Sequence, residues 1–190
     1  MEIKETNLMA AYNTADENGK QLLKALFPDM IWIKNTSDNR PVTERIKTFD
    51  DACNELGEDH IFVKEWRYME GDCTIDLAAY LKLRIICAAL NEGWEPKFIK
   101  NEWRYYPWFC LHTQLELDDM DEDEKQDIIF MSSGDYFADY AGFVCATSIF
   151  APSRTIANVG SRLCLKTREL ATYCGKQFIG IWADYYLIRK

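Results

Sequence analysis

Apolar positions recur at helical spacing through the first half of the chain and at strand spacing through much of the second. Leu22, Leu23, Leu26 and Phe27 form one stripe, which predicts a short helix opened by a capping box at Thr14 and Glu17 and stopped by Pro28. Thr48, followed by Asp50 and Asp51, predicts the N-cap and acidic first turn of a second helix, with Gly57 past its end. Phe62, Trp66 and Met69 share one face of a third, over residues 59–69. Residues 75–91 hold 13 apolar positions in 17 and are apolar nearly all round. They predict a buried helix at the centre of the domain, capped by Asp72 or Thr74 and stopped by Gly93.

Past Pro96 the period changes. Residues 103–112 are rich in aromatics and predict a strand, in which Pro107 suits an edge or a bulge. Residues 143–149 and 161–166 predict two more strands. In the last of these, Arg162, Cys164 and Lys166 alternate with Leu163 and Leu165. Thr167 then caps a final helix over residues 168–187, carrying Leu170, Cys174, Phe178, Ile181 and Tyr185 on one side. Gly175 and Gly180 inside that helix fit a close approach to the sheet. The expected fold is α+β: N-terminal helices, a three-stranded antiparallel meander and a C-terminal helix packed on the sheet. Residues 35–41 are the expected linker, dividing a helical accessory segment (1–40) from a single α+β domain (41–190).

Composition sharpens this picture. A chain of 190 residues with 48% hydrophobic and 14% aromatic residues is no disordered segment. It buries roughly 70% of its unfolded surface, enough for a core without disulfide or metal staples. The seven cysteines are odd in number, form no C-x-x-C and sit in apolar runs such as Ile85-Ile86-Cys87-Ala88. They predict reduced, buried thiols in a cytoplasmic protein. His60 and His112 are the only histidines, and no zinc ligand set at short spacing is visible. The first residues lack the plan of a secretory signal, and residues 75–91 are too short and too charged for a membrane span. The expectation is a cytoplasmic protein with no cofactor, no metal and no membrane association.

Charge adds an asymmetry. Lys and Arg number 22 against 31 Asp and Glu, a net of −9, which argues against a general nucleic-acid coat. Residues 141–190 hold seven cations against two acids, a net of +5, while the first 140 carry −14. Either the two parts neutralise each other within the fold, or the basic part meets an anionic partner.

Candidate chemistry is sparse. Residues 118–124 contain D-x-D-x-D, but counting from Asp119, Glu124 and Phe130 stand where a calcium loop needs Gly and Glu. A solvated acidic loop is expected instead. No nucleophile elbow, phosphate loop, dinucleotide fingerprint or zincin motif occurs. In a strand over residues 103–112, Arg104, Tyr106 and Trp108 share one face, and Trp103, Tyr105 and Phe109 the other. One face packs on helices; the other is either covered or offers rings for stacking. Arg162 and Lys166 share a face of the last predicted strand, and Arg168 opens the next helix. With Arg104 they make one expected positive surface, bordered by Tyr106 and Trp108. The expected function is non-enzymatic binding of a macromolecule, a protein or a single-stranded nucleic acid. The alternative is an enzyme built from scattered carboxylates with Arg and Lys, which a cleft of acids with raised pKa values would reveal.

Four segments taken together carry a resemblance. They are Pro41-Val42-Thr43-Glu44-Arg45-Ile46-Lys47-Thr48-Phe49, Ala79-Tyr80-Leu81-Lys82-Leu83-Arg84-Ile85-Ile86-Cys87-Ala88-Ala89-Leu90-Asn91-Glu92-Gly93-Trp94, the aromatic run from Trp103 to Phe109, and Val159-Gly160-Ser161-Arg162-Leu163-Cys164. This set resembles an uncharacterised protein family of gut Bacteroidetes and the prophage regions of their genomes. The similarity spans most of residues 41–190. It implies a bacterial or phage-derived setting and no particular mechanism.

Overall fold

The computed structural model describes residues 8, 11–12, 14–28, 40–97, 102–125, 128–130, 142–152 and 161–188. The chain is mixed helix and sheet, an α+β protein. Helix α1 (Glu17–Leu26) is capped by Asp16, whose carboxylate accepts from the Gly19 N–H at 2.8 Å. The expected cap at Thr14 is corrected here: its hydroxyl donates back to the Ala11 carbonyl. A charged oxygen at Asp16 is the better acceptor at the positive end of the helix. An ion pair between Lys24 and Asp59 ties α1 to the turn before α4. Most of the expected linker, residues 35–39, lies outside the described residues.

The helical layer follows its sequence signals closely. After the single turn α2 (Val42–Arg45) comes α3 (Phe49–Leu56), opened by a full capping box in which Thr48 and Asp51 satisfy each other's backbone N–H groups. Gly57 ends it with a φ of 83°, a conformation in which any Cβ is strained. Helix α4 (Ile61–Met69) takes its cap from His60, whose Nδ1 accepts from the Phe62 N–H. Helix α5 (Ile75–Leu90) is the centre of the core, with Leu83, Ile85, Ile86 and Leu90 wholly buried. It packs against α3 and α4 on one side and the last helix on another.

Strand β1 (Trp103–His112) runs antiparallel to β3 (Gly142–Pro152), from Trp103 opposite Pro152 to His112 opposite Gly142. Between them in sequence lie the short helices α6 (Gln114–Asp119) and α7 (Glu122–Lys125) and the two-residue β2 (Ile129–Phe130), which pairs with the far edge of β3. The acidic stretch is therefore two helical turns rather than a loop, because Thr113 and Glu116 form a capping box that starts α6. Its acids from Asp118 to Glu124 are solvent-exposed, Met120 apart. The register slips at Trp108/Phe109, where Ala146 of β3 has no partner, so Pro107 sits beside a bulge. Tyr105 turns its N–H and C=O away from β3. Pro107, two residues on, therefore directs its hydrogen-free nitrogen the same way, and the β1–β3 ladder loses nothing.

Two expectations are corrected. Residues 161–166 are not a third strand of a meander. Ser161–Leu163 form a turn of 3-10 helix, and Leu165 meets β1 in a single antiparallel bridge with Tyr105, on the side away from β3. The apparent alternation reflects a helical turn followed by an extended residue, with Leu163, Cys164 and Leu165 all buried. The last helix is also divided. Helix α8 (Arg168–Gln177), capped by Thr167, gives way at Phe178 (φ −112°, ψ 27°) to α9 (Ile179–Tyr186). Helix α8 does lie across both long strands. At Gly175 a Cβ would collide with Cys145 Sγ and stand 2.8 Å from Pro107 Cβ, so glycine is what lets helix and sheet touch there; Gly180 faces open space. Helix α9 turns back to α5 and closes an aromatic cluster, with the Phe109 ring 4.8 Å from Phe143 and 5.5 Å from Trp182.

Candidate functional site

The stretch from Leu163 to Arg168 joins the sheet to the C-terminal helices and is held from three sides. Asn91, at the end of α5 and 5% exposed, donates from Nδ2 to the Cys164 carbonyl at 2.9 Å and accepts the Lys166 N–H on Oδ1 at 3.0 Å. Between those residues, Leu165 exchanges two backbone hydrogen bonds with Tyr105, at 2.9 and 3.0 Å. Cys87 adds a longer contact to the Leu163 carbonyl. The Asn91 amide thus acts as a short substitute strand, satisfying backbone groups that a loop would otherwise bury unpaired.

The next residue, Glu92, adopts the left-handed region at φ 48°, between Asn91 and Gly93. That conformation is sparsely populated by side chains with a Cβ. Its carboxylate joins Lys166 Nζ at 2.7 Å and Arg45 Nη2 at 2.7 Å. Arg45 is 9% exposed along its side chain and also pairs with Glu55. A line of alternating charge, Glu55–Arg45–Glu92–Lys166, therefore runs from α3 to the segment before α8.

The residues expected to form one positive surface are split. Arg104 is 2% exposed and Tyr106 5%, so neither belongs to an exposed surface; this corrects that expectation for both. Burial pushes the Tyr106 phenol up, with buried Cys164 acting in the same direction and Arg104 against it. Cys164 itself is raised to about 11 by burial, again against Arg104. The bridge at Leu165 explains the placement: it brings Cys164 into electrostatic reach of the Arg104 and Tyr106 face. Lys166 is half-buried and neutralised by Glu92. Arg162 and Arg168 are exposed, and neither side chain forms an ion pair or hydrogen bond among the described residues. Trp108 is 48% exposed. The bridge is a single pair, Tyr105 with Leu165, and residues 161–163 before it form a turn of 3-10 helix. Trp108 stands three residues along β1 from Tyr105, about 10 Å at the strand rise. Arg162 and Arg168 thus flank the clamped residues 163–166, and with Trp108, on the strand that the clamp meets at Tyr105, they make up an exposed rim.

Asn91, Glu92 and Arg45 escaped the sequence reading. An asparagine closing a long apolar helix directly before an acid and a glycine is a readable stop signal, but its partners lie more than 70 residues away. Other charges serve the fold. Lys82 lies over the Trp66 ring at 4.9 Å, and Arg84 over Phe62 at 4.1 Å while bonding Glu65 at 2.6 Å. Among the described residues every carboxylate whose titration is displaced moves downward: Asp51 through Thr48 and backbone N–H groups, Glu58 through Arg67, Asp59 through Lys24 and Lys64, and Asp76, Glu116 and Glu169 at helix starts. The seven cysteines are free thiols, five of them buried. Among the described residues no group of three His, Cys, Asp or Glu side chains could hold a metal ion, and no helix is long and apolar enough to cross a membrane. Comparison with protein-family models, curated proteins and solved structures finds no match to the chain.

Proposed function

We propose that this chain is a non-enzymatic binding protein whose rim of Arg162, Arg168 and Trp108 receives a single-stranded nucleic acid. The observation that carries the reading is the pair of exposed arginines with no ion pair or side-chain hydrogen bond among the described residues, flanking a segment clamped to the strand that carries the half-exposed Trp108. An exposed ring takes a base by stacking and arginines take the flanking phosphates. The net charge of −9 does not forbid this, since acids farther than about 8 Å are screened at physiological salt. The carboxylates support binding over catalysis: those with displaced titration are held ionised by caps and ion pairs, the opposite of a general acid. The resemblance to a gut-Bacteroidetes and prophage family rests on sequence segments alone and is kept as part of the proposal. The net charge of −9 favours one second reading, in which an acidic protein face occupies the same rim, since such a face brings fewer negative charges near the chain than a phosphate backbone does.

Fluorescence anisotropy with labelled oligothymidylate at low salt tests the proposal. Wild type is expected to bind with a dissociation constant on the order of 1–100 μM, weakening as salt rises. Replacing Arg162→Glu and Arg168→Glu together should weaken binding at least about tenfold. No binding at tens of micromolar, or an unchanged affinity in the double variant, overturns the nucleic-acid reading.

A further inference from the structure

We infer that Glu92 is a built-in competitor of the anionic partner, holding Lys166 until a phosphate displaces its carboxylate. The inference rests on the binding reading above and adds its regulation. Three observations meet at this residue. Lys166 lies between Arg162 and Arg168 in sequence, on a backbone fixed by Asn91, yet its ammonium is turned to Glu92 at 2.7 Å. Glu92 reaches it from a left-handed backbone that a glutamate adopts only under constraint. The pair is partly solvated, with side-chain exposures of 28% for Lys166 and 40% for Glu92. An exposed pair of this kind is weak enough to exchange partners. Glu92 keeps a second partner in Arg45, and Arg45 keeps Glu55, so releasing Lys166 leaves neither Glu92 nor Arg45 without a partner. A lysine has a flexible four-carbon stem and three rotatable donors, so its ammonium can swing to a new oxygen while its backbone stays clamped. In this arrangement the free protein presents two cations on the rim and the bound protein three.

The test is a double-mutant cycle on Glu92 and Lys166, read by anisotropy with labelled oligothymidylate of about 15 nucleotides. Glu92→Gln removes the competing charge, and Glu92→Gly removes it while suiting the left-handed backbone, so loss of folding in one does not silence the other. Either change is expected to raise affinity about five- to tenfold at low salt with the salt slope unchanged, because the bound wild type already makes the Lys166 contact. Lys166→Gln removes the third contact, so it should weaken binding and lower the salt slope by about 0.7, the signature of one lost phosphate contact on a single strand, and in combination with Glu92→Gln it should erase the gain. Wild type that binds while both Glu92 variants bind no better, or while Lys166→Gln leaves affinity and slope unchanged, overturns this inference and leaves the binding reading standing. Failure of wild type and of both Glu92 variants to bind overturns the binding reading, and this inference with it.

Discussion

The helical layer of residues 42–91 and the rim of residues 162–168 place their positive charges differently. In the helical layer Arg45 lies between two glutamates, Lys82 lies over Trp66 and Phe49, and Arg84 lies over Phe62 with its end on Glu65. Each cation there lends its stem to packing and its head to a ring or a carboxylate. On the rim the backbone is equally well held, yet the side chains of Arg162 and Arg168 project without partners among the described residues. The contrast separates charge that maintains the fold from charge left available to something outside it. Lys166 and Glu92 sit where the two regimes meet.

The largest expected effect concerns the clamp that makes the rim rigid. Asn91→Ala removes the hydrogen bonds that the Asn91 side chain makes to the Cys164 carbonyl and the Lys166 N–H. Each hydrogen bond lost at this buried site costs roughly 1–3 kcal/mol, so a loss of about 3 kcal/mol is expected. For a chain of this size that lowers Tm by about 6–12 °C, measured by circular dichroism. A fall of under about 1 kcal/mol would mean that the segment is held by its apolar residues instead, and the rim would lose its claim to rigidity.

How far sequence carried each region follows the same division. The helical layer was legible because its signals are local: Thr48 with Asp51, Gly57, and the all-round apolar run of α5 each act within one or two turns. Strand β1 was placed to the residue, and Pro107 does lie beside a bulge. The reading failed where two local structures share one pattern. Leu163, Cys164 and Leu165 look like a strand, and only the partner choice of Tyr105 decides that one residue bridges. The division of the last helix at Phe178 has no proline or glycine at the break to announce it. For the site, exposure of Arg162, Arg168 and Trp108 was one of two alternatives that the charge and aromatic pattern left open. Burial of Arg104 and Tyr106 was not settled there, because it depends on a segment 60 residues later folding beside their strand.

A smaller effect sharpens the contrast directly. Arg84→Gln removes both the ring contact and the bond to Glu65, and is expected to lower stability by about 1–2 kcal/mol, as a partly buried cation–π and ion pair together. Arg162→Gln should stay within about 0.5 kcal/mol of wild type, as surface substitutions do. Urea unfolding of the two variants side by side measures both. Equal losses would mean that Arg162 has a structural partner after all, and the division between the two sets of cations would collapse.

The smallest effect is a pH dependence within the helical layer. His60 caps α4 through Nδ1, which must be unprotonated to accept the Phe62 N–H. Burial lowers its pKa below the ordinary 6.5, and Arg84, whose guanidinium lies over the adjoining Phe62 ring, lowers it further. The unfolded chain therefore takes up a proton at His60 before the folded chain does. Stability is fully present above pH 6.5 and declines as pH falls from there towards the lowered folded value. The displaced carboxylates act in a separate window: their ordinary values are 3.8 and 4.5 and all move downward, so their contribution is lost only in stronger acid. Thermal melts between pH 8 and pH 5 are expected to show Tm level at first and then sloping down below pH 6.5 in wild type. His60→Asn keeps a capping oxygen and removes the titration, so its Tm should stay level across the same range. An identical slope in both proteins would assign the decline to another group and remove His60 from the account. Added salt should flatten the part of the slope that comes from Arg84 and leave the part that comes from burial.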